Sequence, residues 1–435
     1  SILISLLIIC TALLGGGREA QGYSVEVSKI YTLEDGVNVT VHYRPAELGR
    51  YHINGDRYAA KIMRYAVNAY KKIVYKQGFD TSGFTYANPD KAYCHDSDRT
   101  IDIIISESSD APYFDVIKGE GTDYDAIIQF PADYSGYLEK WGLKADDKQA
   151  VSLRMRASLY HEMLHVITYS YNKNIEPWYE KDSSSLSYQG GDWYVEGLAR
   201  YFETFADSYV NFFSEGFLET EEGKVKVSQN GANYLMKHPS EPLREARYDY
   251  SLFWAYVHKR YGMERIEEIS RRLRFVSRGD IKNQLPEIIS SVLKEDFKNV
   301  MGSFAVAMYF KYFNPDIKKH LNDLKVMSLE DVSSGGGKSI GSWSSNFITL
   351  DLSDINMPDK IAVKKDMQSG ELRMNIFARV KDGRIAELEG ITLDKTDTLC
   401  AMNLAAMKSI GVKELILIIT NADSEENMIY RVLKS

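Results

Sequence analysis

His161-Glu162-Met163-Leu164-His165 is the stretch on which the reading of this chain turns. On a helix, residues four apart are neighbours on one face, about one turn along. The two imidazoles therefore point the same way and can clamp one metal ion. The glutamate between them lies beside that ion and can take a proton from a bound water. Glu196, within Trp193-Tyr194-Val195-Glu196-Gly197-Leu198-Ala199, follows His165 by 31 residues. That gap holds a helix end, a loop and the start of a new helix. The loop runs from Asp182-Ser183-Ser184-Ser185 to Gln189-Gly190-Gly191. Asp192 then stands where an N-cap belongs, just before an apolar run. His161, His165 and Glu196 make a set that leaves the fourth zinc position open for water, as in catalytic rather than structural sites. Two imidazoles and a carboxylate favour zinc over other divalent ions, at one ion per chain.

The same residues resemble the gluzincin metallopeptidases, the superfamily of thermolysin and aminopeptidase N. The run Glu196-Gly197-Leu198-Ala199-Arg200-Tyr201-Phe202-Glu203 is similar to the second-helix motif of the aminopeptidase N branch. The likeness covers about 145–215 and, more weakly, about 245–262. It implies zinc ligands at His161, His165 and Glu196, with Glu162 as general base. It also implies a downstream tyrosine that donates to the oxyanion. In Tyr248-Asp249-Tyr250-Ser251-Leu252-Phe253, Tyr250 is the first choice and Tyr248 the reserve. Two departures set the chain outside both named branches. No Gly-x-Met-Glu-Asn run precedes the helix, so the aminopeptidase signature for gripping a substrate N-terminus is missing. Arg200 stands four residues after Glu196, where the thermolysin branch has an aspartate. The resemblance therefore implies a secreted peptidase of this superfamily, expected to cut internal bonds of a protein or peptide substrate.

In the resembled superfamily the strand before the His-bearing helix is an open sheet edge that pairs with extended substrate. Ala126-Ile127-Ile128-Gln129-Phe130, ending at Pro131, holds that place here. An ordinary core strand fits the same run equally well. Glu203 lies two turns beyond Glu196 on the same helix face. It is either a carboxylate that orients a ligand imidazole or a solvated surface group.

A chain of 435 residues, 44% hydrophobic and 26% charged, is long enough for two or three packed units. The net charge of −8 excludes a general nucleic-acid binder, which needs a basic face. Ile2 to Leu14 is an apolar run too short to span a membrane comfortably and suited to a signal-peptide core. Cleavage is expected after Gly17 or Ala20, giving a 1–20 leader, secretion and no membrane span in the mature chain. Cys94 and Cys400 allow one bridge or two free thiols, not a disulfide scaffold.

Alternating residues in Tyr23–Tyr31 and Val37–Tyr43 around Glu34-Asp35-Gly36 predict a hairpin. Tyr58, Ile62, Met63, Ala66, Tyr70 and Ile73 carry helical spacing over 56–77, and Ile101–Ile105 reads as a short strand. The metal-bearing helix is predicted at 147–171, and 193–325 reads as mostly helical. Ser333-Ser334-Gly335-Gly336-Gly337 has linker composition. Beyond it, Phe347–Leu352, Leu372–Val380 and Leu415–Ile419 read as strands of a small β-sandwich. The expected class is α+β: a gluzincin-like catalytic domain of small mixed sheet plus helical bundle, then the sandwich. Its parts are 21–145, 146–332, a linker at 333–339, and the sandwich at 340–435. Three other readings stay open: an inactive adhesin working through the sandwich, a zinc aminopeptidase, and zinc hydrolysis of a non-peptide bond.

Overall fold

The computed structural model describes residues 26–434 apart from 80–99, 110, 119–123, 141–147, 172–190, 207–208, 210–211, 214, 221–222, 244–246, 275, 277–280, 335–336, 367–370, 394–398 and 423–426. The apolar leader, both cleavage positions, Cys94 and the loop before Gly191 lie outside the described residues. Cys400 is buried.

The fold is mixed, with segregated helices and sheets of the α+β kind. The first sheet has the order β1-β2-β3-β5-β4, with β1 at Val27–Thr32, β2 at Asn38–Tyr43, β3 at Thr100–Ser106, β4 at Tyr113–Lys118 and β5 at Tyr124–Pro131. The β1–β2 hairpin is antiparallel, and Gly36 supplies the left-handed residue (φ 81°) of its turn. β2, β3 and β5 run parallel, and β4 returns antiparallel to β5. The helix Gly55–Tyr70 crosses between β2 and β3 with the predicted residues Ile62, Met63, Ala66 and Tyr70 buried. Asn54 caps it, its side chain accepting from the Arg57 N–H at 3.0 Å.

β5 is an interior strand, so the expectation that Ala126, Ile127 and Ile128 form the open edge is overturned. Ala126, Ile128 and Phe130 pack into the main core, while Ile127 is buried on the opposite face. A strand covered on both faces reads as a continuous apolar run. Among the described residues the outer strands are β1 and β4, and β4, beside β5, has the mixed sequence Tyr-Phe-Asp-Val-Ile-Lys.

The helix Lys148–Tyr171 carries the His-Glu-x-x-His run and is buried on all sides from Leu159 to its end. It packs on Gly55–Tyr70, on the β4–β5 pair and on the helix Asp192–Phe202. Gly191, not Asp192, occupies the N-cap of that last helix. Asp192 instead stands in the first turn and pairs with Arg247 at 2.9 Å. Further helices follow at Ser251–Tyr261, Met263–Leu273, Ile281–Leu293 and Phe297–Tyr309. One hairpin, β6 at Glu215–Thr220 with β7 at Gly223–Asn230, interrupts the region read as helical.

After residue 337 the chain forms two antiparallel four-stranded sheets. They use β8 at Lys338–Ile340, β9 at Ser345–Asp351, β10 at Lys360–Lys365, β11 at Leu372–Val380, β12 at Ile385–Leu393, β13 at Leu399–Asn403, β14 at Val412–Asn421 and β15 at Met428–Lys434. The orders are β13-β10-β15-β8 and β12-β11-β14-β9. Side chains from both, among them Ile361, Val363, Met374, Leu417 and Val432, share one apolar cluster. The other face of β9, β11 and β14 sends Phe347, Phe377, Ile416 and Ile418 into the main core. Phe310 meets Phe377 edge-on with ring centroids 5.1 Å apart. Residues read as linker therefore join two parts that pack directly on each other.

Candidate metal centre

The two helices that carry His161, His165 and Glu196 bring one ligand atom of each within 4.8 Å of the others. His161 Nε2 lies 3.2 Å from Glu196 Oε2, and His165 Nε2 lies 3.7 Å from the same oxygen. A tetrahedral ion with bonds of about 2.0–2.1 Å sets its donors roughly 3.3 Å apart. The observed separations bracket that value. Both imidazoles and the carboxylate are sheltered from solvent. Burial opposes the charge on His161, yet its bonds to Glu196 and Glu203 carry its pKa above 6.5. Burial also opposes charge on Glu196, but the two imidazoles hold its carboxyl well below the usual range. The donor set fits a zinc ion, with these three residues as its protein ligands.

Glu162 is buried beside the set, at 7% exposure. Burial pushes its carboxyl above the ordinary glutamate value, against the pull of His161 and His165. A backbone hydrogen bond from Phe114, on the outer strand β4, reaches its carboxylate. Base candidate and sheet edge thus meet at one point.

Glu203 is no surface group. It is 3% exposed, and its Oε1 lies 2.9 Å from His161 Nδ1. A carboxylate in that place fixes the imidazole's tautomer and leaves Nε2 for the ion.

The two candidate tyrosines part company. Tyr250 points away from the centre: its O–H donates to the Trp343 carbonyl at 3.4 Å and its ring packs on Phe304. Tyr248, the reserve, lies beside His161 with ring centroids 5.7 Å apart. It lines a small cavity of about 70 Å³ shared with His161, Glu162, Arg200 and Glu203. Tyr248, not Tyr250, is therefore the tyrosine beside His161. Gly197 makes the placement possible, because a Cβ there would meet the Arg247 carbonyl at 3.1 Å and the Tyr250 backbone at 3.3 Å. Without a side chain, the Glu196 helix lies directly against the single 3₁₀ turn Tyr248–Tyr250.

Three residues around the set had no clear signal in the sequence. Phe114 sits on a strand whose mixed composition gave no clear signal. Arg200 was visible only as a departure from a motif, yet its spacing one turn after Glu196 already placed it on the ligand's face. Arg247 also reaches Glu196, Nη2 to Oε1 at 3.4 Å.

Comparison with known proteins returns no matching family model and no matching curated protein.

Proposed function

We propose that this chain is a secreted, zinc-dependent endopeptidase of the gluzincin kind, with a C-terminal β-sandwich. The convergence of His161, His165 and Glu196 around one point, with buried Glu162 beside it, carries the reading. Bound there, zinc would polarise a scissile carbonyl and lower the pKa of a water to roughly 7. Glu162, its carboxyl raised by burial, is suited to accept a proton and pass it to the leaving amine. Glu203 holds His161 in the ligating tautomer. Tyr248, which lines the cavity with His161 and Glu162, is the residue assigned to donate its O–H to the oxyanion. β4, an outer strand among the described residues, supplies an edge for an extended substrate backbone, in reach of Glu162 through Phe114. An edge strand grips backbone on both sides of a bond, which favours internal cleavage of a protein or peptide.

The test is cleavage-site mapping on a peptide library, with and without a chelator, using N-terminally blocked and free peptides. Blocked peptides should be cut internally, and chelation should stop it. Glu162→Gln should keep zinc and fold while losing about 10³-fold or more in rate. Release of single residues from free N-termini alone would replace this reading with an aminopeptidase. Tight peptide binding without turnover would replace it with an adhesin.

A further inference from the structure

Arg200 occupies the position at which the resemblance to the thermolysin branch breaks, and the proposed chemistry gives it no task. It is 6% exposed, and its Nε makes no hydrogen bond. Burying a guanidinium with an idle N–H is costly, so its remaining contacts must offset that cost. Its Cζ lies 4.4 Å from the centre of the Tyr248 ring. Its Nη1 lies 3.5 Å from Glu203 Oε1, the same oxygen that sits 2.9 Å from His161 Nδ1. Arg247 approaches the same ring at 5.4 Å while pairing with Asp192 at 2.9 Å. Tyr248 is thus held through its π system, and its O–H makes no hydrogen bond among the described residues. A ring held this way keeps its hydroxyl available to a ligand. With Glu203 already behind His161 Nδ1, the position one turn after Glu196 is free to carry a cation.

We infer that Arg200 is a positioning residue: one guanidinium, braced against Glu203, sets the Tyr248 phenol. The inference rests on the peptidase reading for its effect on rate, but not for its geometry. The flat guanidinium stacks and pairs at once; a compact ammonium does one or the other.

The experiment uses the full chain with zinc. Arg200→Met, Arg200→Lys and Tyr248→Phe are made singly, and both Arg200 changes are also combined with Tyr248→Phe. Arg200→Met should lose about as much kcat as Tyr248→Phe, with KM little changed and one zinc per chain retained. On the Tyr248→Phe background, Arg200→Met should cost less than about threefold more, because both changes remove one contribution. Arg200→Lys should recover part of the loss. The crystal structure of Arg200→Met should show the Tyr248 ring displaced. Losses that multiply in the double variant, or a ring that stays in place, would overturn the inference. A merely structural role would lower the melting midpoint of each variant without that non-additivity. Should the wild-type protein cleave nothing, the peptidase reading falls, and the position of the Tyr248 ring still decides the role of Arg200.

Discussion

Phe114 faces His165 across the join between sheet edge and metal helix, with ring centroids 6.1 Å apart. It also packs on Tyr169, one turn further along the helix, at 5.3 Å. The edge strand and the ligand-bearing helix are therefore fixed to each other by one side chain, whose own backbone reaches Glu162.

That arrangement predicts the effect of proline along the sheet. The Phe114 N–H turns out of the sheet toward Glu162, so strand alternation turns the Val116 N–H outward as well. Val116→Pro should spare the β4–β5 ladder and raise KM for peptides, since only a donor to substrate is lost. Ile128→Pro, on the interior strand, should instead prevent folding. Steady-state kinetics and circular dichroism separate the two. A Val116→Pro enzyme with unchanged KM would remove β4 from substrate binding.

The metal set predicts occupancy. Elemental analysis should give about one zinc per wild-type chain, none in His161→Ala and little in Glu196→Ala. Glu203→Gln should weaken binding by about 10- to 100-fold, because it removes the carboxylate behind His161. Full occupancy in His161→Ala would sink the ligand assignment.

The two tyrosines predict opposite phenotypes. Tyr248→Phe should cost roughly 10²–10³ in kcat, the usual loss of one oxyanion donor, with little change in stability. Tyr250→Phe removes a hydrogen bond to the Trp343 carbonyl and should lower stability by about 1 kcal/mol while leaving kcat alone. The reverse pattern would restore Tyr250 as the oxyanion donor.

His42 gives a prediction about pH and stability. It sits on β2 with Nε2 2.8 Å from Asp102 and Nδ1 3.3 Å from Glu26. Burial pulls its pKa down, but Asp102 and then Glu26 carry it above 6.5. A raised pKa means folding favours the protonated form. The stabilisation is complete below pH 6.5 and is lost as pH rises through the folded pKa. His42→Gln should therefore destabilise more at pH 5.5 than at pH 9, as read from urea midpoints. An equal gap at both pH values would refute it.

The centre was legible because its signals are local. Helical spacing alone puts His161 and His165 on one face, and the Glu196 helix needs only a loop of sufficient length. The hairpin around Gly36 and the helix Gly55–Tyr70 were legible for the same reason. What failed depended on how elements meet rather than on any local pattern. Ala126–Phe130 was seen as a strand, but whether it was interior depended on β4, whose polar residues hid it. Tyr248 and Tyr250 are two residues apart on a 3₁₀ turn, so their side chains diverge. Which one meets His161 is settled by Gly197, whose close approach no spacing rule reveals. Glu203 was placed on the right face, but its burial depended on how the helices pack.

The contact of Phe347, Phe377, Ile416 and Ile418 with the Phe297–Tyr309 helix bears on how this chain can be taken apart. A protein trimmed at residue 333 would present an uncovered greasy flank, with Tyr309 and Phe310 bared to water and Tyr250 deprived of the carbonyl it holds. Since Tyr250 is two positions from Tyr248, the C-terminal part of the polypeptide acts as a buttress for the turn that carries Tyr248. The two parts share one core and are separable on paper only.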